Sequence, residues 1–149
     1  MKVGIASDHR GYELKEYLKQ NLKEYNIVDY GTTSLESVDY PDYGILLGEK
    51  VSTKTVDFGI AICGSGIGIS IACNKVKGIR CAKVSTPKEA EYTRNDNDAN
   101  IVALSSELNQ QQALEIVKKF LTTPFSNDER HKRRIDKIKK YEEEKEYEC

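Results

Sequence analysis

The sequence predicts an α/β fold in which one parallel sheet of five strands is covered by helices on both faces. Two observations carry this prediction. Short apolar runs alternate five times with segments whose apolar residues recur at helical spacing, a pattern that builds βα units in three layers rather than hairpins. The third run also ends in a cysteine followed at once by Gly64, Gly66 and Gly68, as expected of a buried strand that passes through a bare-backbone turn into a helix.

Taken in order, Val3 to Ala6 is the first strand, and S-D-H-R-G breaks it before Leu14, Tyr17, Leu18 and Leu22 mark one helical face. Ile27 to Tyr30 is the second strand, followed by a polar loop through Pro41 and a helix over roughly 42–54. Asp57 to Cys63 is the third strand. Ile79 to Val84 is the fourth, continuous and apolar, with Thr86 and Pro87 placed to cap the helix that carries Glu91 and Arg94. Asn100 to Leu104 is the fifth, and Ala113, Ile116, Val117, Phe120 and Leu121 outline the next amphipathic helix. From Asn127 onward charges alternate, with Ile135 and Ile138 as apolar anchors and a closing acidic run, E-E-E-K-E-Y-E-C. A helix this polar is marginal alone. It is expected to extend from the domain and pack on a second subunit with its last residues frayed; the other reading is a solvated helix on the same subunit.

A chain of 149 residues is the size of one domain, so a single domain over 1–149 is expected, with about 127–149 as its extended C-terminal helix and tail. Its 23 basic and 24 acidic residues leave a net charge of -1, which gives no field to gather nucleic acid or anionic lipid. The expected partner is therefore a small molecule. Cysteines at 63, 73, 81 and 149 form no C-x-x-C pair and there are two histidines, so zinc lacks its usual ligand spacing and no metal is expected. The start M-K-V-G-I-A-S-D has no long apolar segment. Neither a signal peptide nor a membrane span is expected, and the unpaired thiols point to the cytoplasm.

In such a sheet the site lies at the carboxyl ends of the strands, here S-D-H-R-G, the region after Tyr30, C-G-S-G, V-S-T-P and the segment after Leu104. Glycines in C-G-S-G-I-G leave several amides able to converge on an anionic oxygen at the positive end of a helix dipole. Cys63 sits at the mouth of that nest, as a candidate base or nucleophile beside an oxyanion site; a cysteine alone is more often a buried apolar residue. Cys73 and Cys81 fall in an apolar helix and strand and are expected in the core. A dinucleotide fingerprint would need an acidic residue ending the next strand, which instead ends Lys83-Val84-Ser85, and no G-K-[ST] follows, so no nucleotide cofactor is expected. In Asp8-His9-Arg10-Gly11 a histidine and an arginine can face the cleft of Cys63. Arg130 and Arg134 are one helical turn apart and can grip a phosphate together; the alternative is a solvated charged face.

The stretches SDHRGYELK, DYGT, VDYPDYG, VDFGIAICGSGIGISIACNKVKGIRCA, TRNDNDANIVAL and ERHKRRIDKI occur in the order seen in type B ribose-5-phosphate isomerases, which the chain resembles over nearly its full length. The wider family includes allose-6-phosphate isomerases and the two subunits of galactose-6-phosphate isomerase. The resemblance implies a Rossmann-like α/β sandwich, a homodimer or homotetramer with sites at subunit interfaces, and an aldose-ketose isomerase that needs no cofactor. Its substrate would be ribose 5-phosphate; the alternatives are a six-carbon sugar phosphate or a binding paralogue impaired in catalysis. By resemblance Cys63 moves a proton between C1 and C2, and the amides of the turn Gly64, Gly66 and Gly68, with the Ser65 hydroxyl, hold the enediolate oxygen. Asp8 and Asn97 match residues that bind sugar hydroxyls. His9, Arg130 and Arg134 match the phosphate grip, with the arginines reaching across from the partner subunit. Two positions depart from the family: Asp96 stands where a ring-opening histidine is usual, so that role falls to Asp96 or to His9, and Ser106-Glu107-Leu108 stands where an arginine soon follows the fifth strand.

Overall fold

A computed structural model of the chain describes residues 1–144; the end of the acidic run, Cys149 included, lies outside the described residues. Within them the chain runs β1 (Lys2–Ser7), α1 (Tyr12–Asn21), β2 (Asn26–Asp29), α2 (Tyr40–Ser52), β3 (Phe58–Cys63), α3 (Ile67–Asn74), β4 (Cys81–Lys83), α4 (Pro87–Asn97), β5 (Ile101–Ser105), α5 (Gln110–Thr122) and α6 (Glu129–Glu144). All strand pairs are parallel, in the order β2-β1-β3-β5-β4. The Rossmann-like sandwich expected from the sequence is the fold observed.

Alternate residues of the central strands feed two apolar layers, because successive side chains leave a strand on opposite faces. Val3, Ile5, Ile60, Ile62, Val102 and Leu104 pack under α1, α4 and α5, where Phe120 meets Phe58 edge-on with ring centroids 5.7 Å apart. Ala6, Ala61, Cys63, Ile101 and Ala103 pack under α2 and α3 with Leu47, Val51, Ile69 and Cys73. Strand order reverses direction between β1 and β3, since β1 leads outward to β2 and β3 leads toward β5 and β4. A crevice opens at the carboxyl ends of neighbouring strands at such a point.

Several boundaries differ from the sequence reading for identifiable reasons. Helix α2 starts at Tyr40 because Pro41 is accommodated inside its first turn, where a missing N–H costs no helical bond. The fourth strand is only Cys81–Lys83: Ile79 turns into the second apolar layer, and the Arg80 amide donates to the Asn100 side chain at 2.9 Å instead of joining a ladder. Cys81, expected in the core, is half-buried at this sheet edge; its hydrogen bond to Cys73, with burial, pushes its thiol well above the ordinary range. Lys15 lies on the buried face of α1 beside Leu14 and Leu18. Its side chain is 1% exposed, and Nζ donates to Asp29 at 2.6 Å and to Glu16 at 3.2 Å.

Helix α6 packs on its own chain, against the end of α4 and the segment that leads into β4. Ser126 donates its amide to the Asn95 carbonyl at 3.1 Å, His131 and Ile135 are buried, and Glu142 accepts from the Gly78 amide at 2.9 Å, just before β4. Of the two expected apolar anchors, Ile135 is one; Ile138 is 54% exposed and Tyr141 58%. The helix therefore rests on its own subunit along one side and presents apolar side chains on another.

Candidate active site

At the crevice, β3 delivers Cys63 and the turn that follows. Cys63 is 4% exposed, and its carbonyl accepts from the Ser106 amide at 2.9 Å, so the end of β5 fixes the end of β3. Gly66 takes the left-handed conformation at φ 77°, and its α-carbon lies so close to the Leu104–Ser105 peptide that a side chain there would meet backbone at 2.8 Å. Glycine is required at this position on both counts. Ser65 Oγ accepts from the Ile67 amide at 3.1 Å, which leaves its hydroxyl proton to donate. Among the described residues no acceptor meets the amides of Gly64, Ser65, Gly66 or Gly68. They lie at the start of α3, where the sequence placed the candidate nest, with their donors open to an anionic oxygen.

From β1 come Asp8, His9 and Arg10. Asp8 is buried, and its Oδ1 accepts from the amides of Arg10 at 3.0 Å and Gly11 at 3.1 Å, a turn that opens α1. His9 Nδ1 accepts from the Val38 amide at 3.2 Å, so a neutral ring carries its proton on Nε2. The turn after β2 forms the neighbouring wall. There the Gly31 amide donates to Asp29 Oδ1 at 2.8 Å and the Thr32 amide to the Ser7 carbonyl at 3.0 Å.

The structure adds Tyr40 and Ser105, to which the sequence gave no role, and gives Arg10, which the sequence placed toward the cleft, a specific contact. Gly68 faces the Tyr40 ring, whose Cζ would lie 2.7 Å from a β-carbon on that glycine. Gly64 faces the Arg10 side chain in the same way, with Nε at 3.0 Å and Cζ at 3.1 Å. Ser105 Oγ donates to the Gly64 carbonyl at 2.7 Å. Tyr40 opens a helix directly after a loop at the carboxyl rim, and Ser105 ends a strand there; those positions were the available signals.

Asp96, Asn97, Arg130 and Arg134 do not join Cys63 within one chain. Helix α4 runs back across the sheet, so its last residues fall at the amino rim, where the Asn97 carbonyl accepts from Arg80 Nε at 3.0 Å and Asn97 lines a groove with Arg80, Cys81, Ile138 and Glu142. Asp96, with its side chain 41% exposed, has Oδ1 2.8 Å from Asn95 Nδ2 and 3.8 Å from His131 Nε2. His131 Nδ1 is 2.7 Å from Ser126 Oγ. Arg130 and Arg134 are exposed near the start of α6 at the same rim. The candidate site residues thus fall into two groups on opposite rims of the sheet. Among the described residues no group of three histidine, cysteine or carboxylate side chains is placed to hold a metal ion.

A family model described as Ribose/Galactose Isomerase matches residues 3–138. A Bacillus subtilis protein described as putative sugar phosphate isomerase YwlF is 48% identical over 147 residues, spanning 96% of this chain and 98% of its own. The ribose-5-phosphate isomerase B of Clostridium thermocellum superposes with a TM-score of 0.94 at 45% identity, over 98% of this chain and 100% of that one. That of Mycoplasma genitalium, solved with ribulose-5-phosphate bound, superposes at 0.91 with 41% identity over 96% and 97%. With sequence and backbone matched along almost its whole length, the chain belongs to the ribose/galactose isomerase family.

Proposed function

We propose that this chain interconverts ribose 5-phosphate and ribulose 5-phosphate through a cis-enediolate, at a site completed by a second copy of itself. The observation that carries the reading is Cys63 held at the end of β3 against open amides and the Ser65 hydroxyl. In this reading the Cys63 thiolate takes the proton from C2 of the open aldose, and the electron pair moves toward the carbonyl so that O1 becomes anionic in front of the nest. A proton passes from O2 to O1, the Cys63 thiol returns its own to C1, and C2 becomes the ketone. Amides preorganised around a developing oxyanion supply the charge stabilisation, so the step needs no metal.

Asp8 and the His9 Nε2–H contact the substrate from the same chain, while Asn97, Arg130, Arg134 and Asp96 come from the second copy. The separation of the two groups within one chain supports this, as do the apolar Ile138 and Tyr141 left exposed on α6. A homodimer or homotetramer follows, built from a single domain over 1–149 and working in the cytoplasm on a sugar phosphate of the pentose phosphate pathway. The relative with ribulose-5-phosphate bound supports the five-carbon substrate. Asp96 and Ser106-Glu107-Leu108 favour a second reading, a six-carbon sugar phosphate such as allose 6-phosphate or galactose 6-phosphate. Assays of the pure protein on all three substrates side by side decide between them. The highest kcat/KM is expected with ribose 5-phosphate, and a preference for either six-carbon substrate reverses the assignment.

A further inference from the structure

The Arg10 guanidinium has no hydrogen bond or ion pair among the described residues, although the arginines Arg80 and Arg94 are bound to backbone carbonyls and to Asp98. It is exposed, and it rests on Gly64, the residue directly after Cys63, at a place where any side chain on residue 64 would push it away. The backbone there is held from the other side, since the Gly64 carbonyl accepts from Ser105 and the Arg10 amide is tied to Asp8. A cation is thereby kept against Gly64, the first residue of the turn that follows Cys63, on the same chain as both.

Resting on the isomerase reading above, we propose that Arg10 contacts the reacting end of the substrate and stabilises the negative oxygen of the enediolate. A carbon that exchanges a proton with Cys63 must touch its sulfur, which brings C1 and C2 against the turn and therefore against Arg10. The phosphate on C5 is three carbons along from C2 and falls to the arginines of α6. A guanidinium offers fixed parallel donors to a planar cis-enediolate whose two oxygens lie on one side, a match that a lysine ammonium reproduces only as a point charge. Arg10 thus adds a charged donor to the neutral amides, and its contribution grows as charge develops on oxygen.

The test uses Arg10→Gln and Arg10→Lys in the full chain with ribose 5-phosphate. Loss of one oxyanion donor lowers kcat by about 10²-fold or more where the donor is fully enclosed; for this exposed group a fall of about 10- to 100-fold is expected in Arg10→Gln, with KM within about twofold and partial recovery in Arg10→Lys. A hydroxamate mimic of the enediolate should lose affinity in proportion to kcat, and inhibition by inorganic phosphate should not change. Arg10→Gln chains mixed with Cys63→Ala chains should give no recovery above the residual rate of Arg10→Gln, because both groups serve the site of their own chain. Unchanged kcat, or a raised KM with weakened phosphate inhibition, overturns the assignment while leaving the isomerase reading intact. A wild-type chain inactive on every sugar phosphate overturns that reading and this assignment with it.

Discussion

Cys63 packs on the α2 and α3 side of the sheet and is almost fully buried, a setting in which a thiol can exchange a proton with one bound carbon without losing it to water. Cys63→Ala is expected to lower kcat by at least about 10²-fold, the usual worth of a positioned proton-transfer group, with ribulose 5-phosphate affinity and thermal midpoint nearly unchanged. Steady-state rates and calorimetric titration check this, and a variant that kept most of its rate would direct the search to another base. Asp96 poses a different question. Its carboxylate stands 3.8 Å from His131 Nε2, so the position where a histidine is usual in the family borders an imidazole from α6. Ribulose 5-phosphate cannot close into a furanose, so a ring-opening deficit should slow only the aldose direction. Asp96→His is expected to speed turnover from ribose 5-phosphate, by up to about 10²-fold if ring opening is limiting, and hardly to alter turnover from ribulose 5-phosphate, because an imidazole can both donate and accept a proton. No gain from the aldose would mean that Asp96, His9 or spontaneous opening already suffices, and Asp96→Asn then separates the first case from the others.

At the scale of elements, α1 and β2 are joined by an ionic cluster that supports the wall of the crevice. Burial pushes the Asp29 carboxyl up, and hydrogen bonds from Lys15, Lys19 and the Gly31 amide more than offset this, so it is held below its ordinary value of 3.8. A carboxylate lowered in the folded state adds stability above its unfolded pKa, and that stability is lost as pH falls through the folded value. Asp29→Asn is accordingly expected to weaken the protein at pH 7 and to flatten its decline below about pH 4. Lys15→Met should cost about 2 kcal/mol, less than a fully buried pair because Asp29 keeps Lys19 and is a quarter exposed. Urea unfolding at pH 7 and pH 3 measures both; parallel pH dependence in Asp29→Asn and the wild type would remove Asp29 from the acid limb. Apolar periodicity made α1, α5 and the central strands legible, and C-G-S-G-I-G made the turn legible because glycine at that density has few other uses. Lys15 was hidden because a charged side chain on an apolar face reads as exposed, and its partner Asp29 comes from another element. Tyr40 was hidden for a related reason, and Arg10 was legible only as an arginine near the cleft: their contacts are with glycines distant in sequence, which no local pattern records.

The whole molecule places Cys63, the proposed proton-transfer group, at one rim of its sheet and the α6 arginines at the other, and a single copy cannot close that distance because α4 and α6 are anchored to the amino rim through Asn97–Arg80 and Glu142–Gly78. A second copy solves the problem if its amino rim meets the first copy's carboxyl rim, and twofold symmetry then makes two equal sites. Ile67 and Ile71 on α3, exposed beside the turn, and Ile138 and Tyr141 on α6 are apolar surfaces available to such a contact. Arg134→Ala should raise KM, since losing a charge-assisted bond to phosphate costs about 1.5 to 3 kcal/mol, roughly 10- to 150-fold in affinity. The decisive experiment mixes chains. A Cys63→Ala chain supplies an intact arginine and an Arg134→Ala chain supplies an intact thiol, so a hybrid dimer holds one complete site and one that is doubly defective. After subunit exchange, verified by mass, activity at substrate well below the wild-type KM should rise well above either parent toward about a quarter of the wild-type rate, because random mixing makes half the dimers hybrid and each hybrid has one working site of two. No recovery with exchange verified would mean that thiol and arginine act in the same chain and that α6 must move to reach Cys63.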